Sequence, residues 1–164
     1  MKNALMPPAV AFIFDREDRN AAEQTRFTRL SDGLIAFTAR RMYENYLLNS
    51  CAIAVVMNRQ DNFRAPAVEA NEIEDWIEER RWEKPYFSSP IPEIDRTPEH
   101  WLSNVHGAKL LDDMFKHFSD NRYTYSKVSF GYELTLWLIE NAPGDLNEIA
   151  ALIEEKLQNA ATEN

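Results

Sequence analysis

Ala9-Val10-Ala11-Phe12-Ile13-Phe14-Asp15-Arg16-Glu17-Asp18 returns in the chain as Ala52-Ile53-Ala54-Val55-Val56-Met57-Asn58-Arg59-Gln60-Asp61. Four positions are identical, and every other pair exchanges one apolar residue for another or an acid for its own amide. Each copy is a short β-branched and aromatic run that stops at a polar turn, the pattern of a buried strand. Strands are therefore predicted near 9–14 and 52–57, with the polar turns at their carboxyl ends. Between them, Arg19 to Leu48 carries Phe27, Leu30, Leu34 and Phe37 at helical spacing, with Ile35, Met42 and Tyr46 widening the stripe. Ser31-Asp32-Gly33 offers one break, since Gly33 suits the residue after a helix and Asp32 a new N-cap. Strand, long helical segment, strand outlines a βαβ crossover with the two strands parallel and adjacent.

Working outward, 58–71 reads as a loop holding Pro66, and Asn71 with Glu74 forms a capping box for the next helix. Ala70, Ile73, Trp76 and Ile77 make that helix's apolar face. Glu72, Glu74, Asp75, Glu78 and Glu79 cover the rest, and Arg80 and Arg81 close it, an order that the helix dipole favours. Pro85, Pro90 and Pro92 make 83–97 the one possible seam in a single domain 1–164, although Tyr86, Phe87 and Ile94 anchor it to the body. Thr97-Pro98-Glu99 starts a helix, whose stripe runs through Trp101, Val105, Ala108, Leu111, Phe115 and Phe118 with a bend at Gly107.

From Val128 to Leu138 apolar and polar residues alternate, which predicts a strand within 123–139. A helix from Phe130 to Asn141 competes, because Phe130, Leu134, Trp137 and Leu138 also fit helical spacing. Asp145 and Glu148 form a capping box for a last helix with Leu146, Ile149, Ala150, Ile153 and Leu157 buried. The expected fold is α/β or α+β, a small mixed sheet containing a βαβ unit and packed with about four to five helices.

A chain of 164 residues buries roughly 70% of its unfolded surface and needs no disulfide or metal to hold it. The single cysteine, Cys51, excludes an intramolecular disulfide and reads as a small buried hydrophobe at the head of the second run. The formal net charge of −9 argues against nucleic acid, which demands cations, and against an anionic membrane. The first eight residues lack the pattern of a signal peptide and no apolar stretch spans a bilayer, so a cytoplasmic location is expected.

Phe130-Gly131-Tyr132-Glu133-Leu134-Thr135-Leu136, followed by a Pro-containing loop and a helix, resembles the Gly-aromatic-Glu-Leu-Thr strand of suppressor-of-fused-like domains. The resemblance is confined to this segment. It implies a strand here and an interaction module, some members of that family being immunity proteins in bacterial toxin systems.

Two functions compete. The first is a cytoplasmic protein-binding module, an inhibitor, immunity or adaptor protein. It would meet a basic partner through Glu72, Asp75, Glu78 and Glu79 around Trp76, Trp82, Tyr86 and Phe87. It needs no cofactor; a homodimer built on an exposed sheet edge or on 83–97 is a third possibility. The second is a metal-dependent hydrolase or phosphoryl-transfer enzyme. Asp15, Asp18 and Asp61, with Glu17, would converge where the strands end and ligands of open α/β sheets bind. Asp and Asn are also turn formers in their own right. His106, Asp113 and His117 share one helix face at metal-ligand spacing but read as a solvated face. Asp112 and Arg41 fall inside apolar stripes and are expected in structural pairs. No phosphate-binding glycine loop, nucleophile elbow or Cys-x-x-Cys pair is present.

Overall fold

The computed structural model describes residues 11–162, so Ala9 and Val10 and the N-terminal segment lie outside the described residues. Strand β1 (Phe12–Phe14), helix α1 (Ala21–Leu30) and strand β2 (Ile35–Phe37) form a βαβ unit with the strands parallel and Phe12, Ile13 and Phe14 opposite Ile35, Ala36 and Phe37. Asn20 and Glu23 cap α1 reciprocally. Asp32 and Gly33 then take left-handed backbone (φ 50° and 82°), and Gly33 N–H returns to Thr28 O at 2.9 Å. That reversal ends the helix and feeds β2. The parallel partner of β1 is thus not the predicted 52–57 run but Ile35–Phe37, a segment expected to be helical, which the reversal at Asp32-Gly33 turns out of the helix and alongside β1.

The predicted second strand is a helix. Residues 52–57 lie in α2 (Ser50–Asn58), where Asn49 accepts from Ala52 N–H at 3.0 Å as N-cap. Ala52, Ile53, Ala54, Val56 and Met57 are all buried. A helix enclosed by others is apolar around its circumference, and over six residues that is indistinguishable from a buried strand. Cys51, expected to be buried, is exposed on the first turn of α2.

The predicted third strand is helical too. A wide turn at Lys127–Gly131 opens into α6 (Tyr132–Asn141). Leu134 and Leu138 are fully buried, whereas Leu136 is 41% exposed. Burial thus recurs every four residues, and the alternation in sequence is incidental. The architecture is mixed, with a two-stranded parallel sheet and seven helices among the described residues.

The remaining helices are α3 (Ala70–Arg80), α4 (Pro98–Asn104), α5 (Gly107–Phe118) and α7 (Asn147–Thr162). Helix α3 is capped by Glu69 with Glu72, two residues earlier than the expected Asn71 with Glu74. Thr97 caps α4 as expected, accepting from His100 N–H at 3.1 Å. The bend at Gly107 is a complete break, because Gly107 presses on the Tyr43–Tyr46 turn: a Cβ there would lie 2.6 Å from Asn45 Oδ1. Asp145 and Glu148 do not cap α7. They instead accept from Asn49 Nδ2 (2.8 Å) and Tyr46 OH (2.5 Å). Leu146 and Ile149 are buried, but Ile153 and Leu157 are exposed.

The core is helical. Ile53, Val56 and Met57 of α2 pack among Ile73 and Trp76 of α3, Leu111, Met114 and Phe115 of α5, and Leu134 and Leu138 of α6. The βαβ unit stands outside this core. No residue of α1 is buried, and Phe12, Phe14, Phe27 and Leu30 are exposed. Segment 83–97 is tied down by buried Tyr86, whose carbonyl accepts from His106 N–H at 2.8 Å.

Candidate functional site

The carboxyl end of β1 gathers the polar chemistry. Asp15 directly follows the strand, and its Oδ1 accepts from Tyr43 N–H at 2.7 Å. Burial pushes the Asp15 carboxyl above the ordinary range; the Tyr43 N–H opposes this, nearby Glu44 raises it further, and Lys127 eases it. Tyr43–Tyr46 is a single tight helical turn after β2, and it carries Glu44 into the interior.

Glu44 is 2% exposed. Lys127 Nζ binds its Oε1 at 2.8 Å, while its Oε2 is buried without a hydrogen-bond partner among the described residues. Its carboxylate holds the Lys127 ammonium above its usual range through that hydrogen bond. The Tyr125 hydroxyl is likewise buried and unpartnered; burial first, then the charge of Glu44, pushes that phenol upward. Tyr43 OH and Thr135 Oγ1 share a hydrogen bond of 2.9 Å. Glu17, two residues beyond Asp15, holds a left-handed backbone (φ 52°) unusual for its type and donates its N–H to Arg41 O at 2.6 Å.

Asp18 faces a different group. Its Oδ2 meets Arg41 Nη2 at 3.2 Å, its Oδ1 accepts from Ser88 Oγ at 2.7 Å, and Arg41 also donates to Ser88 Oγ at 2.8 Å. This clasp fastens segment 83–97 to the end of β1. Beside it Arg16 donates to Ser103 O and Asn104 Oδ1, both at 2.9 Å. A shallow cavity of about 340 Å³ lies there, lined by Glu17, Asp18, Phe87, Ser88, His100 and Asn104 among others.

Asp61 is exposed on the turn after α2, where its carbonyl accepts from Tyr123 OH at 2.7 Å. The strand reading of 52–57 had placed Asp61 at a sheet end, so its separation from Asp15 follows from the helix found there. Among the described residues no three His, Cys, Asp or Glu side chains are grouped to hold a metal ion. Glu44 was missed in the sequence because Tyr43-Glu44-Asn45-Tyr46 reads as one more turn of a surface helix. Its single signal is an acid set between aromatics and the apolar pair Leu47-Leu48.

The acidic helix α3 is divided by burial. Trp76 and Tyr86 are core residues, 5% and 3% exposed. Glu72 receives both Arg64 guanidinium nitrogens at 3.0 and 2.7 Å, which hold its carboxyl below the usual range. Glu78 pairs with Arg81 and Glu79 with Arg80, each at 2.8 Å, and Asp75 is exposed without an ion pair among the described residues. Trp82 and Phe87 stack at 5.7 Å, half-buried.

The three residues of the polar face of α5 serve structure. His106 caps the helix by accepting from Lys109 N–H, Asp113 accepts from Tyr86 OH at 3.1 Å, and His117 lies against Trp76 and Phe118. The expected pairs exist: Asp112 with Lys116 at 2.6 Å, and Arg41 with Asp18.

Comparison with family models, curated proteins and solved structures finds no match. The segment that resembles a suppressor-of-fused strand is helical here, so the strand which carried that likeness does not form. Among the described residues no helix is long and apolar enough to cross a membrane.

Proposed function

We propose that the carboxyl end of β1 is a divalent-cation site for hydrolysis or phosphoryl transfer on a phosphate ester, with Asp15 and Glu44 as its carboxylate pair. One observation carries this reading. A carboxyl oxygen, Glu44 Oε2, is buried without a partner among the described residues, near a second carboxylate whose ionisation burial already opposes. Such an arrangement costs several kcal/mol unless a cation completes it. Mg²⁺ retains most of its waters and takes one or two carboxylates, so a pair suffices. The bound ion would polarise a phosphoryl oxygen and activate a coordinated water. Lys127, its side chain 64% exposed, would then be free to face the charge that develops on the phosphate.

The test is thermal unfolding with and without Mg²⁺ or Mn²⁺. An ion that binds the folded chain alone raises the melting temperature progressively with its concentration. The rise is expected in the wild type and not in Asp15→Asn or Glu44→Gln. A wild type indifferent to both ions overturns the reading.

A second reading, a cytoplasmic inhibitor, immunity or adaptor module with a basic protein partner, draws on one specific feature. The half-buried Trp82–Phe87 stack follows α3 in the chain, and α3 carries exposed Asp75, Glu78 and Glu79. An aromatic anchor inside an acidic rim suits a basic protein surface. Charge reversal at these three acids should slow association with a basic partner, and an unchanged on-rate removes α3 from consideration.

A further inference from the structure

We infer that the outer edge of β2 is a docking site for an extended, acidic segment of a partner protein, which adds to it as a third strand. The backbone argument comes first. Phe12 N–H donates to Leu34 O at 2.7 Å and Thr38 N–H to Phe14 O at 2.9 Å, so Leu34, Ala36 and Thr38 present their backbone to β1. Successive residues of a strand alternate, so Ile35 and Phe37 point theirs away from β1. Ile35 N–H is satisfied by Ser31 Oγ at 2.9 Å. Phe37 N–H and the carbonyls of Ile35 and Phe37 have no hydrogen-bond partner among the described residues. An edge with free donors and acceptors is a template for strand addition.

The surroundings select the occupant. The edge borders a groove of about 680 Å³ walled by α1 and α7, with Ile35, Phe37 and Leu152 as apolar lining. Arg29 and Lys156 stand on its walls, with Asp32 at one end. Neither Arg29 nor its neighbour Arg26 has an acidic partner among the described residues, and Lys156 has only Glu155 at 3.6 Å. In a chain of net charge −9, this is a local cationic rim around an apolar, hydrogen-bonding slot. It favours a strand that alternates apolar and acidic residues, apolar side chains entering the groove and carboxylates meeting Arg29 and Lys156. Neither Asp15 nor Glu44 lines this groove, so the edge and the proposed cation site can be tested separately.

The full chain, ¹⁵N-labelled, should be titrated with an alternating Val-Glu peptide of about eight residues and, separately, with its Val-Lys counterpart. The expected result is slowed hydrogen exchange at the Phe37 amide with Val-Glu alone. Affinity should fall at least about tenfold in R29Q/K156Q, at one exposed and one largely buried side chain, with intact folding checked by the unchanged remainder of the amide spectrum. Equal binding of both peptides, or an unprotected Phe37 amide at saturating Val-Glu, overturns the proposal. Protection that grows with protein concentration alone assigns the edge to a second copy and overturns it as well.

Discussion

Lys127 reaches across a boundary of burial to hold Glu44 at 2.8 Å, the lysine side chain being 64% exposed and the carboxylate 2%. The pair is asymmetric. Solvent can receive the ammonium if the contact breaks, but the carboxylate has nowhere to go. Lys127→Met should therefore destabilise the fold by about 2–4 kcal/mol at neutral pH, below the usual cost of orphaning a buried charge because solvent screens the lysine. A urea midpoint measures it. The ammonium is held above its usual range in the folded state. Its stabilisation is therefore complete below the unfolded lysine value and is lost as pH rises through the folded one. Alkaline unfolding should lose this component in Lys127→Met.

Asp15 shares the direction of this pH dependence, but its substitution should have the opposite effect on stability. Its carboxyl is raised in the folded state, chiefly by burial, so this group favours folding most when protonated, below the unfolded value. That advantage disappears as pH climbs through the folded value. Asp15→Asn keeps an oxygen for Tyr43 N–H and removes the charge. It should stabilise the protein at neutral pH by about 0.5–2 kcal/mol, as removal of a functional group commonly does. The gain should vanish in acid. A neutral-pH loss of stability would show that the ionised carboxylate is needed by the fold.

In α6, Leu134→Ala and Leu138→Ala should each cost about 2–5 kcal/mol. Leu136→Ser and Ile139→Ser, at sites 41% and 56% exposed, should stay within about 1 kcal/mol. A strand would have put Leu134, Leu136 and Leu138 on one face and made all three costly. Equal penalties at 134, 136 and 138 would thus refute the helix.

This segment shows why the chain was only partly legible. Helix starts written in local side-chain chemistry, such as Thr97-Pro98, were readable because a cap acts within its own turn. A strand near 12–14 and a helix ending at Asp32-Gly33 were readable too, but the partner strand was placed at 52–57, and Ile35 and Phe37, which form it, were read as helix. What failed were the short apolar runs, 52–57 and 128–138, where only the enclosing helices decide between periods of two and 3.6. The same blindness hid Glu44, whose burial comes from α5 and Lys127, far along the chain. The expected grouping of Asp61 with Asp15 fell with the strand that was to deliver it.

Gly107 is required by contact rather than by conformation. A methyl group there would meet Asn45 Oδ1 at 2.6 Å and the backbone of Glu44 and Asn45 at 3.0 Å. Backbone atoms cannot swing aside as a side-chain tip can. Gly107→Ala should cost about 1–3 kcal/mol and shift the turn that presents Glu44. Gly144→Ala, with nothing within 4 Å of its added carbon, should be within about 0.5 kcal/mol of wild type. Thermal melts of both variants give the comparison.

Asp18 provides the sharpest separation between structure and chemistry at the end of β1. Both of its oxygens are engaged, by Arg41 at 3.2 Å and by Ser88 at 2.7 Å, and Arg41 itself is 8% exposed. A carboxylate so committed has little capacity left for a cation, whereas Glu44 keeps a vacant oxygen. Asp18→Asn should weaken the clasp on segment 83–97, lowering stability by about 1–3 kcal/mol and exposing that segment to proteolysis. It should nonetheless retain the melting shift produced by Mg²⁺ or Mn²⁺, which Asp15→Asn and Glu44→Gln should abolish. Loss of the shift in Asp18→Asn with its retention in Glu44→Gln would move the cation from the buried turn to the solvent-facing side of the strand end.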